Sequence, residues 1–356
     1  HRSREEPIIY RGRSVAIVIP AYNEEGFVGD VIETVPDYAD RVYVVDDCST
    51  DGTWEEIRRH ARRVNESASI AVTGAGEANE ANRASSGRRS DGGVQTDRRV
   101  VPIQHEENRG VGGAIKTGYE RAREDEIEIT AVMGGDGQMD PELLDRLLDP
   151  IVEDRADYVK GNRLLDPDDR EEMPTFRLIG NGILSVLTKI ASGYWKLGDP
   201  QNGYTAISLD ALEAAPIEDM YEYYGYCNDL MVKLNAYEMR VADVPVPSRY
   251  DDEESHISYR EYIPKVSGML LSNFLWRLRV KYLARDFNPL VFLYALGAAG
   301  SLAGLARSLR NVAPVGDGDE PRPSGLPVVL LGALSLVLAM IFDMRANEDL
   351  EEREFE

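Results

Sequence analysis

The chain has 356 residues, of which 43% are hydrophobic, so it is long enough for one large domain and an additional segment. Its 63 acidic residues outnumber its 40 basic residues and give a formal net charge of -23, which would repel nucleic acid, so no nucleic-acid partner is expected. The two cysteines, Cys48 and Cys227, match no metal-binding spacing and are too few to define a disulfide framework.

Apolar runs and helical spacing predict alternating strands and helices from residue 15 onward, after an amino-terminal tail at 1–14. The first strand is a branched apolar run at 15–19, and such a run is typical of a strand covered on both faces of a parallel sheet. In chain order we then predict a helix at 27–35, a strand at 41–45 and a helix that begins near Asp51 and fades near Arg63. No secretory signal pattern opens the sequence, so the amino-terminal half is expected to remain in the cytoplasm.

The segment at 65–98 differs in composition from its surroundings. It is rich in Ala, Gly, Ser, Asn and charged residues, with almost no large apolar residue after Val72, so it buries too little surface to offset ordering, and we predict a mobile insertion. Strands are then predicted at 99–104, 128–133, 156–160, 203–208 and 238–246, and helices at 114–123, from Pro141, at 175–192 and at 228–236. This alternation predicts an α/β fold with a Rossmann-like, doubly wound and mostly parallel sheet in a domain at 15–250.

The carboxyl-terminal part has a different character. A linker and an amphipathic interface helix are predicted at 251–286, with Arg277, Arg279 and Lys281 expected to reach toward lipid headgroups. Uncharged apolar stretches at 287–306 and 323–342 each have the roughly 20 residues needed to cross a bilayer, and an acidic tail at 343–356 follows. Basic residues before the first stretch favour the sheet domain and both termini on the cytoplasmic face of the cell membrane. Two buried core helices are the alternative, because small residues within these stretches also suit tight packing.

Three aspartates follow predicted strands. Asp46 and Asp47 come directly after the second strand, and Asp136 follows the strand that ends at Met133. Open parallel sheets bind ligands beyond the carboxyl ends of their strands, so these side chains are expected to face a crevice. The alternative for each one is a cap of a turn or a helix. Asp136 and Gln138 place two hard oxygen ligands two residues apart, which predicts a site for Mg2+ or Mn2+ shared with substrate phosphates.

Three motifs carry a resemblance to a known family: VIPAYNEE at 18–25, VDDCSTDGT at 45–53 and GDGQ at 135–138. In sequence and order they resemble the inverting glycosyltransferases of the GT-A fold, in particular the polyprenyl-phosphate glycosyltransferases, to which dolichyl-phosphate mannosyltransferase belongs. The resemblance extends from about residue 15 to the second apolar stretch, without the insertion. It implies a nucleotide-sugar pocket lined by Pro20, Tyr22 and Glu24, a contact of Asp47 with base or ribose, and a metal ion held by Asp136 and Gln138.

Three later segments resemble parts of the same family that face the acceptor: KGNR at 160–163, DPQNGY at 199–204, and Arg249 with the following Ser255-His256. The resemblance implies catalytic roles for Asp136, Asp199 and Arg163. It also implies contacts with the acceptor or its phosphate for Arg163, Gln201, Arg249 and His256. For Asp199, a turn cap before Pro200 is the alternative.

Two positions depart from the family pattern. Gly134 stands where the metal motif usually has its first aspartate, so one anionic ligand is absent and a weaker metal site is expected. His256 stands where lysine is common, and a neutral imidazole grips phosphate less firmly. Separately, the acid excess with arginine favoured over lysine resembles proteins of halophilic archaea, where salt screens such charge.

The resemblance implies transfer of one sugar from a nucleotide sugar of the GDP-mannose or UDP-glucose type to dolichyl or polyprenyl phosphate, for protein glycosylation or cell-envelope glycans. A divalent ion with Arg163 or Arg249 would stabilise the charge of the leaving nucleoside diphosphate. The acceptor phosphate is already largely anionic, so it needs little help from a general base. The expected partners are the nucleotide sugar, the lipid phosphate and the bilayer, and small residues in the apolar stretches permit a homo-oligomer.

Other function classes fit less well. A dinucleotide-binding fold needs a glycine-rich turn after the first strand, where the chain has Pro20 to Glu24. The segment at 112–117 lacks the glycine that a phosphate loop has before its lysine, and a processive polysaccharide synthase would carry a Gln-x-x-Arg-Trp segment and more spans. The remaining alternative is a catalytically weakened membrane scaffold that still binds a nucleotide sugar, as Gly134 suggests.

Overall fold

The computed structural model describes residues 10–80, 99–163, 175–247, 259–312 and 324–353. The strands are β1 (Val15–Ala21), β2 (Arg41–Asp46), β3 (Val100–Gln104), β4 (Ile129–Val132), β5 (Tyr158–Asn162), β6 (Thr205–Ser208), β7 (Val241–Pro245) and β8 (Glu351–Arg353). The helices that pack on them are α1 (Val28–Thr34), α2 (Thr53–Glu80), α3 (Val111–Glu124), α4 (Leu144–Val152), α5 (Thr175–Ser192), α6 (Leu209–Ala214) and α7 (Tyr226–Ala236). The carboxyl-terminal helices are α8 (Tyr259–Arg279), continued by a π-helical segment at Val280–Arg285, α9 (Leu290–Val312) and α10 (Leu326–Ala346).

The strands form one eight-stranded sheet in the order β3-β2-β1-β4-β6-β5-β7-β8. Of these strands, β6 runs antiparallel to both of its neighbours, β4 and β5, and the remaining pairs are parallel. The predicted doubly wound, mostly parallel sheet is therefore confirmed. The carboxyl ends of β1 to β5 and β7, and the start of β6, lie along one edge of the sheet, which we call the carboxyl edge.

Helices cover both faces of the sheet, and β1 shows why its sequence is apolar at every position. Ile17 and Ile19 belong to the core that packs α1, α2 and α4 on one face. Ala16 and Val18 belong to the second core, which packs α3, α6 and α7 on the other face. Because successive side chains of a strand point to opposite faces, every side chain of a strand buried on both sides faces a core, which favours apolar residues throughout β1.

Helix α2 is longer than the sequence predicts. The expected end near Arg63 is wrong, because the helix continues to Glu80 through the first half of the proposed insertion at 65–98. Residues of high helix propensity such as alanine and glutamate support this continuation without a large apolar face. The rest of the insertion, at 81–98, lies outside the described residues, and its mobility stays a prediction.

The carboxyl terminus also differs from its prediction. The proposed acidic tail at 343–356 is wrong for the described part, since α10 continues to Ala346 and β8 pairs in parallel with β7. Asp343 and Asn347 are fully buried. The cause is a polar partner far away in sequence: Arg277 Nη2 lies 2.6 Å from Asp343 Oδ2, and neither side chain is exposed.

Two of the basic side chains predicted to reach lipid headgroups are instead buried in protein. Arg277 is 0% exposed and Lys281 is 3% exposed. Lys281 Nζ donates to the backbone oxygen of Asn235 at 3.0 Å and to Asn347 Oδ1 at 2.7 Å. Amphipathic spacing alone does not show which polar side chains find partners in protein. The exposed residues of α8 and its continuation include Leu271, Leu275, Leu283, Arg279 and Arg285.

Helices α9 and α10 pack against each other as an apolar hairpin, and both are long and apolar enough to cross a membrane. In their most apolar stretches only 22% of the residues are buried, which is less than two soluble core helices would show, and membrane crossing stays a prediction. The close packing depends on glycine: a Cβ on Gly332 would lie 2.4 Å from the backbone nitrogen of Ser301. The small residues are therefore used within this hairpin, and a homo-oligomer stays a prediction.

Candidate active site at the carboxyl edge

The loops that follow β1 and β2 are joined by hydrogen bonds and form one wall of the carboxyl edge. The backbone nitrogen of Asp47 donates to Ala21 O at 2.9 Å. The backbone nitrogen of Glu24 donates to Thr53 Oγ1 at 2.8 Å. Pro20, Tyr22 and Glu24, which the sequence assigns to a nucleotide-sugar pocket, lie on this wall, and the ring of Tyr22 is 45% exposed. The wall thus presents an exposed aromatic side chain at the carboxyl edge.

The two aspartates at the end of β2 are almost fully buried and hold the next loop. Asp47 is 2% exposed, and its carboxylate accepts from the backbone nitrogens of Arg109 at 2.9 Å and Gly110 at 2.7 Å. His105 Nδ1 lies 2.7 Å from the same carboxylate. Asp46 accepts from the backbone nitrogen of Ser49 at 3.2 Å. Loop fixing is thus the role that the geometry supports, and a direct contact of Asp47 with base or ribose stays a prediction.

Asp136 lies beyond β4, next to the end of β1. The backbone nitrogen of Gly135 donates to Pro20 O at 3.2 Å, which joins this loop to the end of β1, where Ala21 O accepts from Asp47. Desolvation of the hydroxyl, together with the negative charges of Glu24 and Asp136, raises the pKa of Tyr224. Glu24, Asp136 and Tyr224 therefore share one region. Asp46 and Asp47 are buried and hold loop backbone, so the expectation that they face a crevice is wrong, and a shared site at Asp136 stays a prediction.

The residues around Asp136 fit a metal ion only if the substrate and water supply most of its ligands. Asp136 Oδ1 accepts from the backbone nitrogen of Gln138 at 3.1 Å, and a Cβ built on Gly134 would lie 2.9 Å from the same oxygen. The space that a second carboxylate would enter is thus beside the first. Within the described residues no group of three or more His, Cys, Asp and Glu side chains suits a metal ion. One carboxylate and one amide fit Mg2+ or Mn2+ where substrate phosphates and water supply most of the ligands.

The far side of the edge carries a bidentate ion pair between Arg163, after β5, and Asp199, before β6. Arg163 Nε lies 2.7 Å from Asp199 Oδ2, and Nη2 donates to Oδ1 at 2.9 Å. Asp199 is 4% exposed, whereas the side chain of Arg163 is 31% exposed. Burial raises the pKa of Asp199, but the charge and hydrogen bonds of Arg163 outweigh it and hold this pKa below its usual range. The carboxylate therefore stays ionised and orients the guanidinium, rather than capping the turn before Pro200.

The acceptor-side segment at 199–204 contacts the loop of Asp136. Tyr204 Oη donates to the backbone oxygen of Asp140 at 2.8 Å. A Cβ on Gly203 would lie 3.7 Å from Met139 Cε. The side-chain nitrogen of Gln201 is buried without a hydrogen-bond partner among the described residues, and its proposed contact with the acceptor stays a prediction. Arg249 and His256 lie outside the described residues, and their proposed phosphate contacts stay predictions.

Several residues of the site escaped the sequence analysis. Glu222 accepts from Arg109 Nη2 at 2.8 Å and from Lys116 Nζ at 3.0 Å, so the lysine of the phosphate-loop-like segment serves an ion pair. Glu222 also brings the exposed rings of Tyr223 and Tyr224 to the edge. The run of tyrosines at 221–224 was an available signal for this loop. A buried lysine at Lys160 was missed as well, because no pattern marks a buried charge.

The chain was compared with known families and proteins. A family model described as glycosyl transferase family 2 matches residues 16–73 and 90–215. The UDP-N-acetylglucosamine–dolichyl-phosphate N-acetylglucosaminyltransferase of Methanococcus voltae is 27% identical over 239 residues, which cover 67% of this chain and 86% of that protein. The undecaprenyl-phosphate mannosyltransferase of Micrococcus luteus is 27% identical over 239 residues, which cover 65% and 82% of the two chains.

Among solved structures, glucosyl-3-phosphoglycerate synthase from Mycobacterium tuberculosis in complex with uridine diphosphate is similar in fold. The sequences are 18% identical, the TM-score is 0.47, and the match covers 79% of this chain and 87% of that chain.

Proposed function

The chain belongs to glycosyl transferase family 2, and on that premise we propose that it moves one sugar from a nucleotide sugar to dolichyl or polyprenyl phosphate at a membrane. Family membership makes the chain a glycosyltransferase of the GT-A fold. The observation that carries the proposal is the bidentate Arg163–Asp199 pair on the same sheet edge as Asp136. The pair is neutral overall, but it fixes a partly exposed guanidinium at the edge where we propose that two phosphate-bearing substrates bind.

The proposed donor side lies between Tyr22, Glu24 and Asp136. An exposed tyrosine ring offers a face on which a nucleotide base stacks. Asp136 and Gln138 would hold Mg2+ or Mn2+ together with the donor diphosphate, and such an ion supplies positive charge that offsets the charge of the leaving group. A donor of the GDP-mannose or the UDP-glucose type fits this chemistry equally well.

The proposed acceptor side lies at Arg163 and Gln201. The guanidinium is fixed by Asp199 and its side chain remains partly exposed, and charge-assisted hydrogen bonds from arginine are well suited to phosphate oxygens. Bond cleavage at the sugar develops negative charge on the diphosphate, and a positioned cation lowers the energy of that transition state. The acceptor monoester has a second pKa of about 6 and is largely dianionic at neutral pH, so no general base is needed. Direct attack from the opposite face would invert the anomeric carbon.

Membrane attachment through the apolar hairpin supports the lipid acceptor. The leucines at 271, 275 and 283 are exposed on α8 and its continuation, which lead directly into α9. Exposed leucine and phenylalanine side chains on α9 and α10 continue this apolar surface. We propose that these surfaces contact lipid, with the sheet domain on the cytoplasmic face, so that a polyprenyl tail stays in the bilayer while its phosphate reaches Arg163.

The test is transfer by the purified full chain, in detergent and at high salt, from a panel of nucleotide sugars to dolichyl phosphate. We expect labelled lipid with one donor and only when Mg2+ or Mn2+ is present. Asp136→Asn should reduce transfer about 1,000-fold, equivalent to about 4 kcal/mol of transition-state stabilisation, without a change in the unfolding midpoint. Asp30→Asn makes the same substitution at an exposed position of α1 and should leave transfer unchanged.

A second candidate function is a membrane scaffold that binds a nucleotide sugar with weak or no turnover. The observation that favours it is Gly134, which leaves Asp136 as the single carboxylate of its motif. Binding of a nucleotide sugar by calorimetry without labelled lipid for any donor would favour the scaffold. Full transfer by Asp136→Asn would instead contradict the role proposed for this aspartate.

A further inference from the structure

A second ion pair lies behind Arg163 and Asp199 and has no contact with solvent. Lys160 Nζ lies 2.7 Å from Asp243 Oδ1, and both side chains are 0% exposed. The two residues are direct neighbours across β5 and β7, in a parallel pairing that also aligns Tyr158 with Val241 in the apolar core. Burying an ion pair in such surroundings is expensive, and a hydrophobic pair of the same size often gives equal or greater stability. The pair therefore calls for a role other than stability.

The pair is bonded to the backbone of the loop that carries Asp199. Lys160 Nζ donates to the backbone oxygens of Gly198 and Asp199, the latter at 3.2 Å. Asp243 Oδ2 accepts from the backbone nitrogen of Gly198 at 2.6 Å and from Asn162 Nδ2 at 2.7 Å. Both partners thus hold Gly198, Lys160 through its carbonyl oxygen and Asp243 through its nitrogen, and Lys160 also holds the carbonyl oxygen of Asp199.

The loop needs such support because its backbone is strained. Asp199 has φ = 36°, in the left-handed region that a residue with a side chain adopts only when its surroundings impose it. Space is also limited, since a Cβ on Gly198 would lie 2.6 Å from Asn162 Nδ2. The strained conformation directs the Asp199 carboxylate to Arg163, at 2.7 and 2.9 Å.

We propose that the buried Lys160–Asp243 pair is a positioning device for the Arg163–Asp199 pair. It fixes the backbone of Gly198 and Asp199, Asp199 fixes the guanidinium, and the guanidinium meets the phosphates. This inference rests on the function proposed above and assigns to Lys160, Asp243 and Asn162 a part in it. Neither Lys160 nor Asp243 touches substrate.

The test is the double variant Lys160→Met with Asp243→Asn. It leaves no unpaired buried charge, and the asparagine keeps an oxygen for the Gly198 nitrogen, while the bonds from Lys160 to the loop are lost. We expect kcat to fall about 100-fold, the size of effect that a displacement of about 1 Å produces. Donor KM should change less than about threefold, because the donor wall at Tyr22 and Asp136 is untouched.

Two comparisons separate positioning from a general structural effect. When Arg163 is already replaced by alanine, adding the double variant should lower kcat by less than about a further threefold, because its effect on kcat passes through Arg163. The matched control is Asp157→Asn with Arg240→Met, which removes an ion pair at the opposite ends of the same two strands. That control should retain wild-type kcat.

The outcomes are distinguishable. The proposal is overturned if the folded double variant keeps kcat within about threefold of wild type. It is also overturned if the double variant lowers kcat 100-fold when Arg163 is already replaced by alanine. If the double variant does not fold, Gly198→Ala displaces the same loop and leaves the ion pair intact, and wild-type kcat in that variant overturns the proposal instead. Absence of transfer by the wild-type chain with every donor would count against the proposed function and not against this positioning role.

Discussion

The sides of the carboxyl edge proposed for the sugar donor and for the acceptor, called here the donor half and the acceptor half, use buried carboxylates differently. On the donor half, carboxylates hold backbone nitrogens: Asp47 fixes Arg109 and Gly110, and Glu56 accepts from Gly26 and Gly29. On the acceptor half, carboxylates hold cations in addition to backbone nitrogens, as Asp199 holds Arg163 and Asp243 holds Lys160. Buried carboxylates can therefore fix the position of cations in a chain whose net charge is strongly negative.

The largest stability effect is expected on the donor half. Asp47→Ala leaves the nitrogens of Arg109 and Gly110 without their acceptor, and each unsatisfied buried donor costs about 1–3 kcal/mol. We expect the free energy of unfolding to fall by about 3 kcal/mol in urea titrations. Asp199→Ala should cost less stability, because Arg163 can turn to water, yet lose more kcat. A larger loss of stability in Asp199→Ala than in Asp47→Ala would contradict this difference between the donor and acceptor halves.

A smaller effect is expected where the donor half lacks a carboxylate. Gly134→Asp would place a second carboxylate beside Asp136, because the added Cβ points toward Asp136 Oδ1. Two carboxylates repel each other without a cation, so we expect a lower unfolding midpoint in chelator and about tenfold tighter Mn2+ binding by calorimetry. Gly134→Ala fills the same space without charge and is the control. Unchanged Mn2+ affinity in the aspartate variant would contradict the metal position at Asp136.

The smallest effect concerns the outer strand beyond the acceptor half. Burial raises the pKa of Glu351 from its ordinary 4.5 to about 7, against the opposing hydrogen bond from the backbone nitrogen of Lys196. The folded state thus holds this proton more tightly than the unfolded state. The contribution of protonated Glu351 to the free energy of unfolding is therefore complete below pH 4.5 and is lost as pH rises through 7.

As pH rises from 4.5 to 8, the free energy of unfolding of Glu351→Gln should therefore increase relative to that of wild type by on the order of 1 kcal/mol, as measured by urea unfolding. Glu352→Gln, at the next and more exposed position, is the control. Parallel pH profiles for wild type and Glu351→Gln would show that this carboxyl titrates normally.

The sequence predicts the sheet and the positions of the strand-end acids well, because apolar runs and strand-end acids are local patterns. The run at 15–19 and the acids Asp46, Asp47 and Asp136 all lie where a parallel sheet puts them. It predicts Arg163 and Asp199 only through resemblance, since 36 residues separate them. It fails for Lys160 and Arg277, whose charges are buried because of partners 83 and 66 positions away, at Asp243 and Asp343.

The short strand β8 changes what the apolar hairpin can do. The chain leaves the sheet domain through α8, forms the apolar hairpin of α9 and α10 and returns to become the outermost strand beside β7. A segment anchored at both ends cannot swivel like a stalk, and each of its arms of 21 residues is about 32 Å long. In a bilayer, the tilt of these arms would be transmitted to the whole sheet, so bilayer thickness would govern how far the phosphate-binding rim stands above the lipid.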